Sequence, residues 1–259
     1  METAFIIPVK PVATGTKKEE VIRIQGLYKS FGTNQVLIDF NLQLFAGENV
    51  VVLGKSGSGK SVLIKCIIGL LQPDQGLVQV FGKNIPDLSH EELDKIRMKV
   101  GFLFQSNALY DSMTVKENLE FPLRRHSIRM EQQEVDELVL NALDDVGLAH
   151  TINLMPAELS GGMRKRIALA RTLILRPDII LYDEPTTGLD PITGKEIIEL
   201  MVDIQKKYKS SSLIISHDMN CVRMAADRVV MLIDGKCYVQ GSYDELKRSA
   251  DPRVKEYFE

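Results

Sequence analysis

The run Asn49-Val50-Val51-Val52-Leu53-Gly54-Lys55-Ser56-Gly57-Ser58-Gly59-Lys60-Ser61 passes from an unbroken apolar segment into a glycine-rich loop and then a helix start. Gly54 to Ser61 fits G-x-x-x-x-G-K-[ST], and the strand before and helix after are the context in which that pattern forms a phosphate cradle. The glycines let backbone N–H groups turn inward towards anionic oxygens, and the helix adds its positive end. Gly54, Ser56, Gly57, Ser58, Gly59, Lys60 and Ser61 are therefore expected to surround a nucleoside triphosphate. Lys60 is expected to reach the β- and γ-phosphates, and the Ser61 hydroxyl to ligate Mg²⁺. By itself this loop specifies no more than a nucleoside triphosphate.

Outward from the loop, Val21–Gln25 and Gln35–Leu44 alternate or run apolar as strands do, and a helix is expected from Lys60 to about Leu71, stopping near Pro73. Leu77–Phe81 and Val100–Phe104 read as further strands. Between about Asn107 and Leu175 strand signals vanish. Val135, Leu138, Val139, Ala142, Leu143 and Val146 recur at helical spacing, closed by Gly147, and another helix is expected from Gly162 to about Leu175. Strands return at Ile179–Asp183, Leu213–Ser216 and Val229–Ile233, with a helix from about Thr193 to Lys207. Alternating buried strands and helices imply an α/β fold around a parallel sheet, with the helical stretch inserted into it.

Ile179-Ile180-Leu181-Tyr182-Asp183-Glu184 is an apolar strand ending in two acids. The carboxyl ends of strands are where α/β sheets bind ligands. Asp183 is expected in the Mg²⁺ shell, since hard cations select oxygen ligands. Glu184, pointing differently, is expected to accept the proton of an attacking water.

The bulk properties narrow the classes. The 259 residues are 44% hydrophobic and 26% charged with a net charge of −3, which does not suit a nucleic-acid binder with a basic footprint. Cys66, Cys221 and Cys237 show neither CxxC nor metal spacing and read as reduced, buried thiols of a cytosolic protein. The best apolar run, Val62 to Leu71, is broken by Lys65 and falls short of the roughly 20 residues a spanning helix requires. Residues 1–20, interrupted by Pro8 and Pro11 and lacking a leading basic region, read as a loose tail, leaving 21–259 as the working domain.

Further motifs carry a resemblance to a known family. Leu159-Ser160-Gly161-Gly162-Met163 resembles the signature motif of ATP-binding cassette (ABC) ATPases. Gln105 resembles their Q-loop glutamine, Gly188-Leu189-Asp190 their D-loop, and His217 in Ile215-Ser216-His217-Asp218 their switch histidine. Phe31 sits where the family's adenine-stacking aromatic lies, with Tyr28 as the alternative. The resemblance covers residues 21–250 with every motif in family order. It implies a P-loop NTPase (RecA-like) core, an antiparallel N-terminal β-subdomain, and a helical subdomain at about 106–175. It also implies ATP and Mg²⁺ as cofactors, Gln105 beside Ser61 and Asp183 at the metal, and His217 on the γ-phosphate. Ser160, Gly161, Gly162 and Asp190 would serve the nucleotide of a second copy, so that a homodimer forms two composite sites.

Cassettes of this kind drive permeases, act on ribosomes, or act on DNA. One cassette without a spanning helix or sustained heptads leaves a motor for a separate permease, peripheral on the cytoplasmic face of the inner membrane and with no nucleic-acid partner. Met163 stands where many cassettes have glutamine, and Arg164-Lys165-Arg166 follows it. With the segment Leu103–Val115 and Asp251-Pro252-Arg253-Val254, this resembles the ATPases of Mce-type lipid transport systems, which include the Mla phospholipid system. That resemblance implies lipid cargo, an indirect Mce-type substrate-binding partner and room for a small cytoplasmic regulator. The competing expectation is an importer of the polar amino-acid type. Arg164-Lys165-Arg166 and Arg124-Arg125-His126 read as solvated surface, and the groove at Leu109 and Tyr110 as the permease dock.

Overall fold

Each residue of Asn49–Leu53 is buried, as a strand covered on both faces must be. In the computed structural model, which describes residues 19–126, 128 and 130–259, this segment is the third strand of an α/β protein. In chain order the elements are β1 (Glu20–Phe31), β2 (Asn34–Phe45), β3 (Asn49–Leu53), α1 (Lys60–Ile67), β4 (Gln75–Val80), β5 (Lys83–Asn84) and α2 (His90–Lys99). Then come β6 (Val100–Leu103), α3 (Val115–Arg125), α4 (Gln132–Asp145), α5 (Gly161–Leu173), β7 (Ile179–Asp183), α6 (Pro191–Tyr208) and β8 (Ser211–Ser216). The chain closes with α7 (Met219–Ala225), β9 (Arg228–Ile233), β10 (Lys236–Gly241), α8 (Tyr243–Lys247) and α9 (Pro252–Lys255).

Two sheets organise these elements. The six-stranded sheet has the order β10-β9-β3-β8-β7-β6 and is parallel except for its β9–β10 edge pair. The second sheet, β2-β1-β4-β5, is antiparallel. Period-two alternation divides the core. Val51, Leu53, Ile180 and Tyr182 face the helices, including the inserted α3–α5. Val50, Val52, Ile179 and Leu181 face α1 and the antiparallel sheet. Both faces of the parallel sheet are covered, so its strands are continuous apolar runs.

The structure bears out the expected α/β plan and adjusts its edges. β3 and β7 coincide with the expected strands residue for residue. Helix α1 ends at Ile67, not near Leu71: Gly69 takes φ 68°, and the N–H groups of Leu70 and Gly69 return to Lys65 O at 2.8 Å and Cys66 O at 3.2 Å. This left-handed glycine stop acts before Pro73 is reached. The same arrangement closes α4, where Gly147 has φ 70° and Leu148 N–H donates to Leu143 O at 2.9 Å. β1 opens at Glu20; residues 1–18 of the expected tail lie outside the described residues. No helix among the described residues is long and apolar enough to cross a membrane.

Candidate functional site: a nucleotide site in two separate halves

The sheet order brings together groups far apart in sequence. β3 delivers the glycine-rich loop, and β7 delivers Asp183 and Glu184 two strands away. β8, lying between them, delivers His217. Gly59 caps α1 with φ 102°, and a Cβ there would meet Val36 Cγ1 at 2.8 Å, so the loop cannot take this path with another residue. Lys60, only 5% exposed, donates to Gly54 O at 2.7 Å and Lys55 O at 3.0 Å. Its ammonium also lies 3.3 Å from Glu184 Oε1.

The two acids have different partners. Ser61 Oγ donates to Asp183 Oδ1 at 2.9 Å. Burial is the main cause that raises the Asp183 carboxyl above the usual range, opposed by this hydrogen bond and reinforced by the Glu184 charge. Glu184 has φ 50°, a conformation uncommon for a non-glycine residue, and its N–H donates to Ile215 O at 2.9 Å. From this turn its carboxylate meets His217, Oε2 lying 2.8 Å from Nδ1. Backbone strain of this kind is sustained only where the surroundings fix it, and it clusters at working sites. Thr186 Oγ1 donates to Asp218 Oδ2 at 3.1 Å, tying together the segments that follow β7 and β8.

These residues fit a triphosphate with its cation. A hydroxyl and a carboxylate already paired through oxygen are the donor set a hard divalent cation takes. Ser58 Oγ, inside the loop, is buried without a hydrogen-bond partner among the described residues. Mg²⁺ held by Ser61 and Asp183 would neutralise charge on the β- and γ-phosphate oxygens. Lys60 is placed to exchange its carbonyl partners for those oxygens. Glu184 can take a proton on its carboxylate while His217 holds it in position.

The signature segment lies elsewhere. Ser160 is the N-cap of α5, its Oγ accepting from Met163 N–H at 3.2 Å. Asp190 caps α6, accepting from Ile192 N–H at 3.1 Å and Thr193 N–H at 3.0 Å. Ser160, Gly161, Gly162 and Asp190 line one concavity of about 500 Å³, and no P-loop residue borders it. Within one chain the signature segment and the P-loop thus do not meet. Gln105 is exposed, and its side chain forms no hydrogen bond to Ser61 or Asp183 among the described residues. Phe31 is 49% exposed at the end of β1, with its ring open to a stacking partner and the Lys29 ammonium 5.5 Å from its centroid.

The model of the ABC transporter family (ABC_tran) matches residues 37–187. The chain belongs to the ABC transporter family. Its cassette is 41% identical over 236 residues to the probable ribonucleotide transport ATP-binding protein mkl of Mycobacterium leprae, covering 91% of this chain and 68% of that one. It is 37% identical to the intermembrane phospholipid transport system ATP-binding protein MlaF of Haemophilus influenzae, covering 92% of this chain and 90% of that one. The dimeric post-hydrolysis structure of the ATP-binding cassette MJ0796, bound to ADP and Pi, superposes with a TM-score of 0.77 at 34% identity, covering 85% of this chain and 98% of that chain. This ABC cassette is therefore an ATPase.

Two surface readings change. Lys165 is not part of a solvated face: it is 2% exposed, and burial pushes its ammonium down to about 8. Of its neighbours, Arg164 is exposed and Arg166 pairs with Glu196 at 2.7 Å. Sequence reading missed Lys165 because a basic triplet reads as solvent-facing, although Ala168 and Leu169, three and four residues on, are fully buried. At the expected dock, Leu109 packs against the helical core, whereas Tyr110 is exposed with its ring 4.6 Å from that of Phe121. Arg124 and Arg125 remain exposed, as expected, whereas His126 of the same triplet is half-buried.

Proposed function

We propose that this chain is the ATP-hydrolysing subunit of a complex that moves phospholipids or related lipids between membranes, working as a nucleotide-sandwich homodimer on a separate permease. The observation that carries the dimer is the separation of Ser160–Gly162 and Asp190 from the P-loop of the same chain. A two-fold pairing would set each signature segment over the other copy's Lys60, Ser61 and Glu184. ATP would then bias an open–closed equilibrium through contacts made only in the closed state. Gln105 would join Ser61 and Asp183 at Mg²⁺, and Phe31 would stack on adenine.

Lipid cargo is supported by Met163 with its basic run, by the Leu103–Val115 segment, and by the likeness to MlaF over nearly its whole length. The permease would dock beside Tyr110 on the cytoplasmic face of the inner membrane, and an Mce-type protein would act through the permease. A small cytoplasmic regulator would bind elsewhere on the same face. Purification of the complex from membranes, followed by mass spectrometry of bound lipid, tests the reading. Recovery of a soluble amino-acid-binding partner in place of lipid would overturn it. Because Leu109 packs against the core and Tyr110 is exposed, Tyr110→Asp is the better dock variant: permease co-purification should fall while the fold is kept.

A further inference from the structure

The loop after β6 is held from one side by α5, the helix that begins at the signature serine. Lys165 Nζ donates to Gln105 O at 3.0 Å and lies 3.5 Å from Phe104 O. Further along α5, Arg171 Nη1 donates to Ala108 O at 2.7 Å and Nη2 to Asn107 O at 2.9 Å. Asn107 and Ala108 have φ of 64° and 53°, so this backbone is held where L-residues rarely settle. No carboxylate lies within salt-bridge distance of Lys165 among the described residues. Carbonyl oxygens alone satisfy its buried ammonium. The Asp183 charge favours this ammonium from a distance but forms no salt bridge with it, so the groups that Lys165 holds directly are the carbonyls of the loop.

We propose that Lys165 is a positioning residue for ATP hydrolysis: it fixes the backbone of Gln105 to the helix that carries Ser160, with Arg171 as the second tether. The Q-loop and the signature segment then move as one body, and Gln105 arrives at the metal in register with Ser160 arriving at its partner. The inference rests on the reading of Gln105 as a residue that works on bound nucleotide.

The test is a cycle on the full-length chain, reading kcat and KM for ATP together with Tm. Lys165→Met should lower kcat about tenfold, leave KM within about twofold and leave Tm near that of the parent. Lys165→Gln, which keeps an N–H donor, should recover most of the loss. Gln105→Ala should lower kcat to a similar degree, and the double variant should be no slower than the slower single one, because both changes remove the same positioned group. Multiplicative losses overturn the proposal, as does parental kcat in Lys165→Met while Gln105→Ala is slow. Parental kcat in Gln105→Ala overturns both the reading of Gln105 and the inference. If Lys165→Met does not fold, Arg171→Gln carries the same cycle and the same criteria.

Discussion

Glu184 Oε2 and His217 Nδ1 lie 2.8 Å apart across the ends of two neighbouring strands. Glu184 makes this contact from a backbone at φ 50°, while Asp183 is paired with Ser61. In the proposed function, Asp183 would serve the cation and Glu184, held by His217, would serve the attacking water.

Glu184→Gln keeps the shape of that contact and removes the base. ATP binding should persist while steady-state hydrolysis falls by about 10²-fold or more. The variant should also accumulate as an ATP-bound dimer in size-exclusion chromatography. Hydrolysis at the parental rate would remove Glu184 from its role.

Asp183→Asn weakens the oxygen pair formed with Ser61. The Mg²⁺ concentration for half-maximal activity should rise by about 10–100-fold, the range seen when groups that orient or hold a metal are lost. An unchanged Mg²⁺ titration would separate Asp183 from the cation.

Gly59→Ala tests the backbone of the loop. With φ 102° and only 2.8 Å to Val36 Cγ1, alanine is strained and crowded there. Stability should fall by about 1–3 kcal/mol by denaturant titration. ATP affinity should fall with it.

The three thiols give a pH prediction. Burial pushes Cys66 and Cys237 up to about 11 and Cys221 up to about 12, from 9.0. Native protein should react slowly with a thiol reagent at pH 8, and all three cysteines should react once it is unfolded. The native state holds these protons longer than the unfolded chain does, so this contribution to stability is full below pH 9 and lost as pH rises through about 11 for Cys66 and Cys237 and about 12 for Cys221. A Tm that rises over that interval would contradict it.

What the sequence made readable depended on how completely a segment is buried. β3 and β7 were placed residue for residue because both faces of each are covered. α2 was missed although Ser89 and Glu92 form a capping box, because only Ile96 of its residues is buried and the apolar rhythm is weak. β10 was missed for a related reason: it is a half-exposed edge strand without clear alternation. The P-loop and the paired acids were legible from type and spacing. Lys165 was not, since its partners are carbonyl oxygens and those carry no sequence signal.

Ser61 meets Asp183 across 122 positions of sequence. β3, which carries the cradle, is flanked in its sheet by β8 and β9, and both are made after the strand that bears the acids. The loop therefore gains its platform only when those late strands arrive, so the cradle and the acids that face it take shape together.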